Sequence, residues 1–291
     1  MTSLRIITAI FLLLCLSSAN ASFWVSEFTG SADAYRIERD GERILLQQLM
    51  LLQAGDIIHV VDDAAELIVI NEHSESIALT SDVSPFVVPE SAAAPSLLVN
   101  IGNWITNWWQ TRANQSSTTL VAVSKGMFDP TALVATPSDN FLLSGRREIF
   151  VAWTGGSSPF EVQLTTTSGE LIARATQITE YGVTLPQCNL DSGQRIELRI
   201  SDAAGLSVVS ITVVDENQLP VPARSVIELE VPDAIRFGNL ALILSGLDNW
   251  RFEALQLARA YKLRDLEQSL LNQSYPQFNE AELERAPGDS E

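Results

Sequence analysis

Between residues 23 and 89 the apolar positions come in short runs broken by Asp, Asn and Ser. Ile57, Ile58, Val60 and Val61 form one run, Leu67 to Ile70 a second, and Ile77 with Leu79 a third. Runs of this length between turn formers predict strands joined by tight connections. Asp40-Gly41 marks a hairpin, because that dipeptide accepts the positive φ of a primed turn. Ala54-Gly55-Asp56 marks a second turn ahead of an apolar run. The stretch Ile44 to Leu52 is rich in Leu and Gln, and its apolar content predicts a buried strand leading into that turn.

Residues 129–222 repeat the same language on a larger scale. Strands are predicted at 132–136, 148–153, 160–167, 170–176, 182–185, 195–201 and 206–214. Turn signals separate them, among them Pro137-Ser138-Asp139-Asn140, Gly155-Gly156 and Asp191-Ser192-Gly193. Phe160, Val162 and Leu164 alternate onto one face, as do Ile196, Leu198 and Ile200. About seven short strands at this spacing predict an immunoglobulin-like or fibronectin-like β-sandwich. The period then changes. Residues 223–275 predict a helical hairpin, with one helix from Ala234 to Leu244 ending near Gly246 and Asp233 as its N-cap. A second helix, capped by Asp248 or Asn249, aligns Ala254, Leu257, Ala258 and Tyr261, and Leu263, Leu266 and Leu270 continue the spacing. Residues 276–291 form an acidic tail. The predicted fold class is therefore mainly β: a small β domain and a β-sandwich, followed by a C-terminal α-helical hairpin.

The first β domain, residues 22–96, resembles a known family. Gly30, a strand, the Asp40-Gly41 hairpin, Leu51 and then Gly55-Asp56-Ile57-Ile58 stand in order. A short acidic turn, Ala65 to Ile70 and Phe86-Val87-Val88 complete about 65 residues similar to the FecR-like periplasmic domain. Asn71-Glu72-His73 stands where family members carry an Asp-Gly turn. The resemblance implies a small twisted all-β module of the bacterial envelope. Family members that regulate sigma factors add a cytoplasmic segment and a transmembrane helix. This sequence shows neither, so the resemblance implies an envelope module and not sigma-factor regulation.

The N-terminus agrees with export. Arg5 precedes the apolar core Ile6 to Leu16, and Ala19-Asn20-Ala21 is an A-x-A cleavage site before Ser22. That core is about half the ~20 residues a spanning helix needs. Residues 1–21 read as a signal peptide cleaved after Ala21. The expected location is periplasmic or secreted, in a Gram-negative bacterium, with no transmembrane helix in the mature chain. Cys15 leaves with the signal, and Cys188 remains alone, read as buried and inert in preference to a free thiol.

Composition narrows the function classes. The 291 residues are 46% hydrophobic, which excludes wholesale disorder. The formal net charge of −18 argues against a broad grip on nucleic acid. Two His leave little for acid–base or metal chemistry. The sequence carries no G-x-S-x-G, H-E-x-x-H or C-x-x-C motif and no glycine-rich phosphate loop. His59 falls in a predicted strand and His73 in a turn. Asp62, Asp63 and Glu66 lack calcium-loop spacing and read as a solvated turn. No catalytic residue, cofactor or metal site is predicted. The expected function is a non-enzymatic envelope protein acting as a protein-interaction or scaffold module, with envelope signalling as one setting for it and other envelope proteins as partners.

One segment stands apart. Residues 97–128, after the small-residue linker 90–96, contain no acidic residue and two basic ones. Leu97, Ile101, Trp104 and Trp108 share one face of a partly helical connector, and Trp109 adjoins them. Trp104, Trp108 and Trp109 are the candidate interaction residues. Three readings compete: rings buried between the two β modules, an interfacial helix on a bilayer, or flat faces that bind a glycan, peptidoglycan or a protein. Under the first, tryptophan emission is blue-shifted and stays fixed in titrations with liposomes and glycans. A shift with either additive selects the corresponding alternative.

Overall fold

The computed structural model describes residues 22–71, 73–89, 130–135 and 139–272. The chain divides into two compact units, Met1–Pro95 and Ser96–Glu291. The signal segment, the linker 90–96, the Trp-rich connector 97–128 and the acidic tail from 276 lie outside the described residues.

In the first unit the described residues form eight short strands: β1 (Phe23–Phe28), β2 (Tyr35–Arg39), β3 (Glu42–Ile44), β4 (Leu51–Leu52), β5 (Ile57–Val60), β6 (Leu67–Asn71), β7 (Ser76–Leu79) and β8 (Phe86–Val87). They form two antiparallel four-stranded sheets, β4-β1-β6-β7 and β3-β2-β5-β8. Val25, Ile37, Ile58, Leu67 and Val69 are fully buried in one core. Each such side chain contributes about 1.5–3 kcal/mol relative to exposure. Asp40 and Gly41 have φ of 52° and 82°, as the hairpin between β2 and β3 requires.

Two polar anchors hold this unit. The Tyr35 hydroxyl donates to the carbonyls of Thr29 (2.7 Å) and Glu66 (2.8 Å), tying two connections together. Asp56, 1% exposed, accepts from Arg39 Nε at 2.8 Å, Arg39 Nη2 at 2.7 Å and the Gln53 N–H at 2.8 Å. The strand predicted over Ile44 to Leu52 does not form as one element. Residues 45–50 are not a strand but a crossing between sheets. The Leu49 N–H bonds to the Val25 carbonyl, the Val25 N–H bonds to Met50, and Leu49 turns at φ 63°. One continuous strand keeps to one sheet, whereas this segment leaves β3 in one and joins β4 in the other.

The second unit contains β9 (Thr131–Ala132), β10 (Asn140–Leu143), β11 (Gly145–Thr154), β12 (Phe160–Thr166), β13 (Leu171–Ile178), β14 (Gly182–Leu190), β15 (Arg195–Ser201) and β16 (Leu206–Val214). A five-stranded sheet, β10-β16-β15-β12-β13, and a three-stranded sheet, β14-β11-β9, form an immunoglobulin-like sandwich. β10 runs parallel to β16, and every other pairing is antiparallel. Trp153, Phe160, Val162, Leu164, Ile196 and Leu198 fill the core. Cys188 lies within β14, not between strands, and is buried at 8% exposure. β10 occupies part of what the sequence marks as a turn, because Asn140 is itself buried and its Nδ2 donates to the Ser210 carbonyl.

Four α-helices follow: α1 (Val221–Ile227), α2 (Asp233–Ser245), α3 (Arg251–Ala260) and α4 (Arg264–Leu271). α1 is additional to the predicted hairpin. Its prolines sit at the N-cap and in the first turn, where missing N–H groups cost nothing. Pro232 is the N-cap of α2, so Asp233 is its first helical residue and pairs with Arg236 instead of capping. Asp248 and Asn249 form a 3₁₀ turn before α3 and make no side-chain cap. α2 ends at Gly246, as its sequence indicates.

The Gly155-Gly156 turn acts through space as well as dihedrals. Gly156 has φ 72°, and a Cβ there would lie 2.8 Å from both Asp202 Oδ2 and the Phe160 ring. That Asp202 oxygen accepts the Ser157 N–H at 2.6 Å, clipping two loops together. Gly156→Ala is expected to combine a left-handed cost of about 1–2 kcal/mol with an overpacking cost of about 1–3 kcal/mol. Gly193→Ala, at φ 81° in open space, carries only the first cost. Urea unfolding midpoints of the two variants measure the difference.

Candidate functional site

The three predicted interaction residues, Trp104, Trp108 and Trp109, lie outside the described residues. The other three tryptophans are core: Trp24 is 2%, Trp153 1% and Trp250 6% exposed. His59 sits in β5 opposite Arg36, and His73 sits in the turn after β6, where its N–H bonds to Asn71 Oδ1. Ser84 Oγ accepts the Val60 N–H at 3.0 Å. Asp62 bonds the Ala64 N–H within its turn. Among the described residues, no group of three or more His, Cys, Asp or Glu could hold a metal ion.

One polar arrangement that the sequence expectations do not include is the seam between α3 and the sandwich. Phe252 of α3 enters the sandwich core. Beside it Glu253 is fully buried. Arg147 of β11 donates from Nη1 to both its oxygens, at 2.9 and 3.0 Å, and the Leu143 N–H reaches Oε2 at 3.2 Å. One turn further along, Gln256 imitates a strand. Its Oε1 accepts the Phe150 N–H at 2.8 Å, and its Nε2 donates to the Phe150 carbonyl at 3.0 Å. The Arg259 guanidinium carbon lies 3.8 Å from the centre of the Phe150 ring. Trp250 packs on Phe141, ring centres 5.0 Å apart.

A sequence signal for this seam exists. Glu253 is four residues before Leu257 and three after Trp250, so it interrupts the apolar stripe of its own helix. A charge on a buried stripe calls for a partner. Burial pushes the Glu253 carboxyl up, and the charge and hydrogen bonds of Arg147 and the Leu143 N–H oppose it. Burial likewise raises the Cys188 thiol against the influence of Arg147. The seam is therefore a clamp, in which arginine and a backbone N–H hold a buried carboxyl group.

The outer face of the five-stranded sheet is a polar ladder. Arg174 Nε bonds Glu161 at 2.7 Å, and Arg199 Nη2 bonds Glu197 at 2.7 Å. Leu206 and Val208 of β16 are exposed. In the loop beyond, Asp202 collects the N–H groups of Ser157, Ala204 and Gly205. These backbone bonds outweigh desolvation and hold its carboxyl below the ordinary value.

No family model matches the chain, and no curated protein matches it. Among solved structures it is similar to CopC from Methylosinus trichosporium OB3b, at 18% identity over 31% of this chain and 99% of that one, TM-score 0.23. It is also similar to the BSP domain of a biofilm-associated protein, at 10% identity over 70% of this chain and 26% of that one, TM-score 0.24. Domains 4 and 5 of an S-layer protein match at 12% identity over 64% of this chain and 73% of theirs, TM-score 0.22. At such TM-scores the fold assignment stands on the strand order itself. Among the described residues no helix is long and apolar enough to cross a membrane.

The clamp makes a signed prediction. A carboxyl raised by folding contributes stability below the unfolded value, and the contribution is lost as pH rises through the folded value. Glu253→Gln is expected to remove the part of the stability decline that sets in above the ordinary value of 4.5. Arg147→Ala removes the partner of a fully buried carboxyl and is expected to cost about 3–5 kcal/mol at the alkaline end of the range, and less toward acid, where protonation removes the charge left unpaired. Urea unfolding from pH 4 to pH 8 measures both.

Proposed function

We propose that the protein is an exported, non-enzymatic module of the Gram-negative cell envelope that works by binding other proteins. In this reading residues 1–21 direct export and are removed, residues 22–96 form a FecR-like domain, and residues 129–222 form the immunoglobulin-like domain. One observation carries the reading. The deeply buried carboxylates of both units, Asp56 and Glu253, are each held by arginine and a backbone N–H. Chemistry at a carboxylate needs an available oxygen beside a substrate, whereas these oxygens brace the fold. What each unit offers instead is sheet surface and strand edges.

The test has two parts. Mass spectrometry of the chain from an envelope fraction is expected to find a mature N-terminus at Ser22. A photo-crosslinking amino acid at Val208, exposed on the outer sheet face, is expected to give a discrete adduct in cells that an excess of unlabelled protein abolishes. A chain retained in the cytoplasm overturns export. Sedimentation with purified sacculi that depends on Trp104, Trp108 and Trp109 overturns protein binding in favour of a glycan or peptidoglycan ligand.

A further inference from the structure

A β-sheet that ends in water leaves a row of unpaired N–H and C=O groups, and proteins blunt such edges. Most of the longer edges here are blunted. β13 carries two register shifts against β12. β14 contains Pro186 and runs beside β13. β10 is covered by α3. β3 presents Glu42 and Arg43, and β8 is two residues long with Pro85 before it and Pro89 just after Val88. β7 is different. Residues 76–80, Ser-Ile-Ala-Leu-Thr, contain no charge and no proline.

Among the described residues β7 is the last strand of its sheet, and the ladder shows which of its backbone groups face outward. The Asn71 N–H bonds to the Glu75 carbonyl at 3.0 Å, so 71 and 75 are a hydrogen-bonded pair. Bonded and non-bonded pairs alternate in an antiparallel ladder. Val69 with Ile77 and Leu67 with Leu79 are therefore bonded, and the pairs at Ser76 and Ala78 are not. On the other side of β6 the Glu66 carbonyl accepts the Thr29 N–H, which fixes the same phase independently. The backbone N–H and C=O of Ser76 and Ala78 thus point away from the sheet. Both side chains are small and exposed, and Leu79 is buried, so the register against the core is fixed.

We infer that the β7 edge is a docking site for an extended segment of a partner protein, added as a fifth strand, with basic side chains at its ends. The inference rests on the protein-binding reading above and gives it a place and a chemistry. Charge selects the occupant. Exposed Glu75 precedes the strand and exposed Asp82 follows it. A second copy paired about Ala78 would draw Glu75 of one chain toward Asp82 of the other at both ends. A segment with lysine or arginine at its ends meets opposite charge instead. Main-chain bonds supply affinity in such strand addition, and alternate side chains supply selectivity.

The probe is an acetylated and amidated peptide Lys-Val-Thr-Val-Thr-Lys, compared with the same peptide ending in Glu at both positions. Both are added to the full mature chain, and amide hydrogen exchange is read by NMR. The lysine peptide is expected to slow exchange at Ser76 and Ala78 by about tenfold or more at saturation, with the glutamate peptide leaving both unchanged. Ala78→Pro removes an outward donor without touching the bonds to β6, and is expected to weaken binding about tenfold. Ala78→Asp, which keeps the backbone intact, is expected to weaken the lysine peptide less than Ala78→Pro does, which guards against a variant that misfolds. Absence of protection at Ser76 and Ala78 overturns the site, and a Val208 adduct in cells then leaves the broader protein-binding reading standing. Self-association in sedimentation velocity that Ala78→Asp abolishes overturns the partner in favour of a second copy.

Discussion

A buried polar group must find a partner, and much of this structure is arranged around that constraint. Glu253 and Gln256 sit on the face of α3 that a helix would ordinarily give to leucine. They fit there because β10 and β11 present groups that need them: the Leu143 N–H, the Arg147 guanidinium, and both backbone groups of Phe150. β11 shifts register between Arg147 and Ile149, beside those residues. The shift disturbs pairing with β14, and Gln256 satisfies the neighbouring backbone at Phe150. Helix and sandwich are thereby specified for each other in a way that apolar packing of Phe252 alone would leave loose. Asp56 plays the equivalent part in the first unit, where Arg39 and Gln53 hold a turn against a strand.

The same constraint explains what was legible in the sequence. β15 and β16 match their predicted bounds, because Ile196, Leu198 and Ile200 alternate cleanly and Asp-Ser-Gly and Ala-Gly turns bracket them. β10 was hidden because Asn140 reads as a turn residue, while in the fold its amide pairs with the Ser210 carbonyl across the parallel strand. Single-residue propensity carries no information about a partner 70 residues away. α1 carries no periodic signal of its own, because proline is a residue that breaks helix interiors, yet Pro220 and Pro222 stand at its N-cap and first turn, where a helix tolerates them. Over residues 45–50, apolar content does not distinguish a strand from a buried crossing. Of the candidate site, the tryptophan stripe was visible by its spacing and lies outside the described residues. The β7 edge was invisible, since an open edge is defined by what does not pair with it.

Charge and edge geometry meet in one last step. The chain has 36 acidic and 18 basic residues. Many of the arginines are engaged: Arg39 with Asp56, Arg147 with Glu253, Arg174 with Glu161, Arg199 with Glu197, Arg251 with Asp248. Pairing cations inward or along a sheet face leaves the unbalanced charge of the surface acidic. Residues 22–96 contain 13 acidic and three basic residues, a net of −10. A field of that sign steers basic segments toward the first unit and repels further copies of the chain. Steering is non-directional and does not by itself create a site. The uncharged β7 edge supplies the direction, because Ser76 and Ala78 present hydrogen-bonding groups at fixed spacing between two acidic ends. Among the described residues, net charge therefore favours a basic segment and the β7 edge favours an extended one, and the two requirements are met by the same class of partner.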